Sequence, residues 1–191
     1  MGPFPVTTVP QPAAFQMSVE QLKSFVSNWR DERTNNLART VFENGSLRLN
    51  SNPIRPIAEN SFQVGLTKIN FIRDKKTGSL VTMELDRGDE VQRLSAEKDW
   101  APKSPDMAAF AGDWHSEEAD ARFTIALDGD KLFFVQRPST RRELLPTYKD
   151  GFTVPGGAIL WFTRDKTGRV DKLHVGVGSR LRNITFERIK K

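Results

Sequence analysis

With 191 residues, 37% of them hydrophobic and 28% charged, the chain has the composition of a soluble globular protein of one or two domains. It has no cysteine, which excludes disulfides and thiolate metal sites, and no apolar run near the ~18–20 residues of a membrane-crossing helix. A net charge of +5 favours solubility and weak attraction to polyanions, but the basic helix or interleaved aromatic and basic residues of a nucleic-acid reader are missing.

In chain order, residues 1–17 read as a proline-rich linker, with Pro3, Pro5, Pro10 and Pro12. They have neither the basic start nor the apolar core of a signal peptide. The segment reads as the junction with a larger part, which would carry any export signal. The absence of cysteine suits cytoplasm and periplasm alike; the parent is expected in the periplasm or secreted.

Val19, Leu22, Phe25 and Val26 follow at helical spacing, with Ser18 and Gln21 as a capping pair. The aromatic pattern Phe25-Val26-Ser27-Asn28-Trp29 then recurs as Phe110-Ala111-Gly112-Asp113-Trp114, a shift of 85 residues. The same shift lays Glu32 on Glu117, Leu47 on Leu132 and Pro53 on Pro138. After a five-residue insertion the shift becomes 90, pairing Pro56 with Pro146, Phe62 with Phe152, Thr77-Gly78 with Thr167-Gly168 and Glu97 with Glu187. A repeat of this period means two copies of one supersecondary unit, residues 18–99 and 100–191.

Within each copy, short alternating stretches are punctuated by turns. Phe123, Ile125 and Leu127 alternate with polar residues, Asp128-Gly129-Asp130 turns the chain, and Lys131–Gln136 returns. The first copy matches with Ala38–Phe42, Asn44-Gly45 and Leu47–Asn50. Further strands are predicted at Leu144–Tyr148, Phe152–Val154, Ile159–Thr163, Val170–Val177 and Arg182–Ile189, with counterparts at Arg55–Ala58, Phe62–Val64, Ile69–Ile72 and Leu80–Leu85 and around Leu94. About eight short strands per copy at this spacing predict an all-β fold of two tandem antiparallel barrels, each preceded by a short helix. Closure also removes the exposed edges that so many short strands would leave.

The Gly112-Asp113-Trp114 run, with arginines on the last strand, resembles the lipocalin-type signature. There the first-strand tryptophan packs beneath the barrel against an arginine of the closing strand. The resemblance implies this role for Trp114, with Arg188 (in phase with Phe186) or Arg182 as its partner. In the first copy it implies the same for Trp29, with Ser27 in place of the glycine and Lys98 where Arg188 stands. Three stretches, Phe110–Glu118, Leu144–Phe152 and Phe162 through Gly168-Arg169-Val170 to Phe186-Glu187-Arg188, resemble the lipocalin-like domain at the C-terminus of bacterial serine hydrolases related to β-lactamases and penicillin-binding proteins. That domain is an accessory module. The resemblance therefore implies a partner, either the parent hydrolase domain or a second copy, and neither catalytic residues nor a cofactor.

Motifs with catalytic overtones read differently in context. Ser95-Ala96-Glu97-Lys98 fits S-x-x-K, and Lys76-Thr77-Gly78 and Lys166-Thr167-Gly168 fit K-T-G. Yet Ser95 falls in a closing strand instead of opening a helix, and both K-T-G runs fall in hairpin turns. Asp113, His115 and Ser116 have the residue types of a triad, but Ser116 points to the opposite face of an extended strand. His174 is expected to face solvent, and two histidines without clustered carboxylates make a poor metal site. Asp128 and Asp130 suit a turn better than a calcium loop. Arg137, Arg141 and Arg142 belong to the insertion and suit a solvated loop better than an anionic partner. Glu32 and Glu117 recur at strand ends, either serving turns and basic neighbours or anchoring a ligand at the barrel mouth. Phe133, Phe134, Trp161 and Phe162 lie on both faces of their strands, so the outward ones are expected to be covered by the other barrel, a second chain or the hydrolase. The function predicted is that of a non-catalytic accessory or interaction module of such a hydrolase. The alternative is binding of a small apolar ligand inside a lipocalin-like barrel.

Overall fold

Each copy begins with a short helix held by its own side chains, in a computed structural model that describes residues 15–137, 140–177 and 181–189, with the side chains of residues 137, 181 and 182 outside the description. In α1 (Val19–Lys23) the Ser18 hydroxyl accepts from the Gln21 backbone N–H, and the Gln21 side chain accepts from that of Ser18. In α2 (Ser104–Ala108) proline sits in the first turn, and the Asp106 carboxylate accepts from the Lys103 N–H at 3.3 Å.

The first copy continues as β1 (Ser27–Asp31), β2 (Leu37–Glu43), β3 (Ser46–Leu49), β4 (Asn52–Pro53), β5 (Arg55–Ala58), β6 (Ser61–Val64), β7 (Thr67–Arg73), β8 (Leu80–Asp86) and β9 (Val91–Glu97). The second has β10 (Gly112–Ser116), β11 (Ala121–Asp128), β12 (Lys131–Arg137), β13 (Thr140–Pro146), β14 (Gly151–Val154), β15 (Ala158–Arg164), β16 (Val170–Val177) and β17 (Leu181–Arg188). Neighbours are antiparallel, and β10–β17 close into an eight-stranded barrel. The first sheet runs β4-β3-β2-β1-β9-β8-β7-β6-β5, so its two ends meet in sequence at Ile54.

The ninth strand is one strand bent in two. The Ile54 N–H donates to the Leu47 carbonyl (2.9 Å), as Leu144 faces Leu132 in the second barrel. Beyond Ile54 the chain leaves β3 and pairs with β6, Pro56 opposite Phe62; in the same way β13 leaves β12 and pairs with β14, Pro146 opposite Phe152. Pro53 and Pro56 lack the N–H that would carry a ladder through. The fold is thus all-β, two antiparallel barrels in tandem, each behind a short helix.

Register corrects three details of the repeat. Pro53 lies opposite Arg48, the place Glu143 takes opposite Phe133, so Pro53 answers to Glu143 and not to Pro138, which lies outside the described residues. The five extra residues therefore lengthen the β12–β13 hairpin. Ala96 pairs with Trp29 as Arg188 pairs with Trp114, so the position of Arg188 belongs to Ala96 in the first barrel and not to Lys98. The connection from β16 to β17 is two residues longer than that from β8 to β9, since Met83 faces Leu94 but Leu173 faces Phe186. Third, β13 ends at Pro146, and Tyr148, expected on that strand, lies in the turn after it with its ring against Gly151.

Both interiors are filled by equivalent rings. Phe25, Phe62, Phe71 and Trp29 pack with centroids 4.9–5.4 Å apart, and Phe110, Phe152, Phe162 and Trp114 repeat the cluster. Phe123, between Phe134 and Phe186 at 4.6 and 4.5 Å, extends it along the second barrel. Such rings bury large apolar areas and prefer these tilted and edge-on contacts.

Candidate functional site

The tryptophans of the repeat and the residues around them gather at the helix end of each barrel. In the second, Trp114 is fully buried and Arg188, directly opposite on β17, stacks its guanidinium 4.6 Å from the indole centroid. The same guanidinium donates to the carbonyls of Ala109 (2.6 Å) and Ala111, which the end of α2 leaves without partners. Burial pulls Arg188 below the ordinary arginine range. Gly112 makes the approach possible: its φ is +147°, and a Cβ there would meet Nη1 of Arg188 at 2.7 Å. The side chain of Arg182 lies outside the described residues.

The first barrel closes differently. Trp29 is equally buried, but its indole N–H donates to the Thr40 hydroxyl at 2.9 Å. That hydroxyl also accepts from the Ser27 N–H and donates to the Phe25 carbonyl, the counterpart of Phe110. Ile125 replaces Thr40 in the second barrel, and there the Trp114 N–H is buried without a partner.

A further pair of arginines braces both ends. Arg73 donates to the Ser24 hydroxyl (2.8 Å) and the Gly78 carbonyl, with its guanidinium 4.7 Å from the Phe25 centroid. Arg164 donates to the Gly168 carbonyl, lies 5.5 Å from the Phe110 centroid and grips both Asp150 carboxylate oxygens at 2.7 and 2.9 Å. Those bonds raise Arg164 above its ordinary value. Sequence reasoning passed over this pair, although the signal was available: each arginine stands directly before an aspartate that opens a Lys-Thr-Gly turn.

No family model matches the sequence, and no curated protein does.

The catalytic-looking motifs occupy turns and ladders. The Asp74 carboxylate accepts from the Lys76 and Thr77 N–H groups and from the Thr77 hydroxyl, closing the first Lys-Thr-Gly turn. Asp165 does the same for the second, and the Thr167 hydroxyl on it, more than any other contact, holds its pKa down to about 2. The Ser95 hydroxyl donates to Glu32 at 2.7 Å. Asp113 accepts from Thr124 at 2.6 Å, while Ser116 is buried and accepts from the Ala119 N–H, so Asp113, His115 and Ser116 do not converge. Among the described residues no three of His, Asp and Glu gather as metal ligands, and no helix is long and apolar enough to cross a membrane.

Glu32 and Glu117 sit where β1 and β10 end, away from the helices. Glu32 is tied to Ser95, and Glu117 is exposed beside His115 and Glu118. At the Glu32 end Asp31 is the buried group. Burial pushes its pKa up, but the N–H groups of Arg33 and Thr34, the Thr34 hydroxyl and the Gln92 amide more than offset this and hold it below the usual carboxylate range.

Outward aromatics are covered locally. Arg141 pairs with Asp128 at 2.7 Å and lays its guanidinium 3.8 Å from the Phe133 centroid. Trp161 stacks on His174 at 5.3 Å and 12°, so that histidine, expected to face solvent, is half covered; burial foremost lowers its pKa. Phe134 and Phe162 face inward and join the core.

Proposed function

We propose that the chain is a non-catalytic interaction module, the accessory part of a bacterial β-lactamase-related serine hydrolase, acting on assembly or on access to the active site. The observation that carries this reading is the occupation of both barrel interiors by the chain's own rings. An eight-stranded barrel is only just wide enough for its side chains, so filling it leaves contact to the outside surface. The likeness of Phe110–Glu118, Leu144–Phe152 and Phe162–Arg188 to the hydrolase-associated domain supplies the partner. That partner belongs to the periplasm or the exterior, and a second copy of the chain is the other surface it could meet.

The reading as a carrier of small apolar ligands has one observation in its favour. A groove of about 470 Å³ opens beside the bend at Ile54, lined by Leu22, Leu47, Pro53, Pro56 and Val64. It lies at the wall of the first barrel, not in its centre. The full reading frame containing this chain tests the main proposal. A serine hydrolase domain in the same or the adjoining frame, binding the chain in isothermal titration, supports it. A frame without one, or a hydrolase domain that does not bind, contradicts it.

A further inference from the structure

The connection between the barrels is anchored on both sides within two consecutive residues. Asp99 accepts from the Asn28 side chain of the first barrel at 2.6 Å. Trp100, the next residue, packs edge-on against Phe152 at 5.3 Å and Phe110 at 6.1 Å, over the helix end of the second barrel. Little chain is left to act as a hinge. Beside it, Tyr148 of the second barrel reaches the first: its hydroxyl donates to the Asn35 carbonyl at 3.1 Å and its ring lies 5.3 Å from the Arg30 guanidinium.

Every group in this contact is held from behind. Arg30 pairs with Glu97 at 2.6 Å and donates to the Asn35 side chain at 3.1 Å, so its plane is set before Tyr148 meets it. On the other side the tyrosine ring rests on Gly151, where a Cβ would come within 2.4 Å. Tyr148 is 5% exposed although it sits in a turn. From geometry of this kind we infer that Arg30 and Tyr148 form a latch that holds the two barrels in one fixed orientation. A partner then meets both barrels as a single surface. The short tether keeps the two halves of the latch close whenever it opens, which favours reclosure. This inference stands independently of the function proposed above.

Tyr148 is the chain's one tyrosine, and there is no cysteine, so nitration by tetranitromethane followed by peptide mass spectrometry reports on Tyr148 alone, and the Arg30 variants separate the latch from the packing on Gly151. In the intact chain Tyr148 is expected to react at least about tenfold more slowly than in the urea-unfolded chain. Arg30→Ala, which leaves the second barrel untouched, should raise the rate several-fold and enlarge the radius of gyration in small-angle scattering. Arg30→Lys keeps the charge but not the flat guanidinium, and should fall between. It also serves as the test if Arg30→Ala does not fold. Tyr148 reacting in the intact protein as in the unfolded chain overturns the latch. So does protection and scattering unchanged by the Arg30 variants.

Discussion

At the helix end of the first barrel a threonine hydroxyl takes the tryptophan N–H, while in the second an arginine lies on the tryptophan face and the N–H has no partner. The two solutions involve linked sets of residues. Arg188 needs Gly112 beneath it, and where Ala96 stands instead of the arginine, Ser27 fits in place of the glycine. The carbonyls past the helix are served in one barrel by Thr40, at Phe25, and by Arg73, at Ser24 (3.4 Å), and in the other by Arg188. What is common to both is the plug of rings; the polar groups around it are interchangeable only as sets.

Removing a plug should have the largest effect. Trp29→Ala and Trp114→Ala each delete a fully buried ring and should cost about 3–5 kcal/mol in urea or guanidinium unfolding. The milder Trp→Phe change separates the barrels: at Trp29 it removes a hydrogen bond, at Trp114 it removes an unpaired N–H. Trp29→Phe should be the more costly by about 1 kcal/mol. Equal costs would mean that Thr40 contributes nothing.

Gly112→Ala comes next, at about 1–3 kcal/mol, because the residue sits at positive φ and its new methyl meets Arg188. Combined with Arg188→Ala, the cost should be less than the sum of the single changes, a coupling that a double-mutant cycle reads directly. Strict additivity would separate the glycine from the arginine. Ser27→Ala in the first barrel should be nearly silent.

Exchanging the polar partner should have unequal effects in the two barrels. Thr40→Val keeps the shape but strands the Trp29 N–H and two backbone groups, costing about 1–3 kcal/mol. Ile125→Thr gives the Trp114 N–H an acceptor at the expense of a buried methyl and should change stability by less than about 1 kcal/mol. An indole fluorescence spectrum unchanged by Thr40→Val would argue against the pairing.

Acid should draw on Asp31 in the first barrel and on the turn carboxylates Asp74 and Asp165 in both. Asp31 has a lowered pKa in the folded state, so its contribution is present above its unfolded value of about 4 and is lost as pH falls through the folded value. Ser116 occupies the equivalent place in the second barrel and does not titrate. In thermal melts from pH 7 to pH 3, Asp31→Asn should lose less stability than the parent chain, and an equal loss in both would remove Asp31 from the account.

The repeat and the strand-and-turn pattern made the two barrels legible, because Trp29 and Trp114, Phe62 and Phe152, and the glycine turns recur at fixed offsets. What register decides was not legible. A two-residue difference in one hairpin moved the counterpart of Arg188 from Lys98 to Ala96, and no periodicity of the strand itself signals such a slip. The Thr40 acceptor was hidden because a threonine inside a β-branched strand looks like an ordinary strand residue. Tyr148 follows Leu144 and Leu145 as a strand residue would, whereas the turn closed by the Thr147 N–H on the Gly151 carbonyl carries its ring to Arg30.

The claim that both barrels are solid and work from the outside is tested most directly by titrating the intact chain with a fluorescent apolar probe and a competing fatty acid. The filled interiors predict weak, non-saturating binding that fatty acid does not displace. One saturable site per barrel, emptied by the fatty acid, would contradict the account and make the chain a ligand carrier.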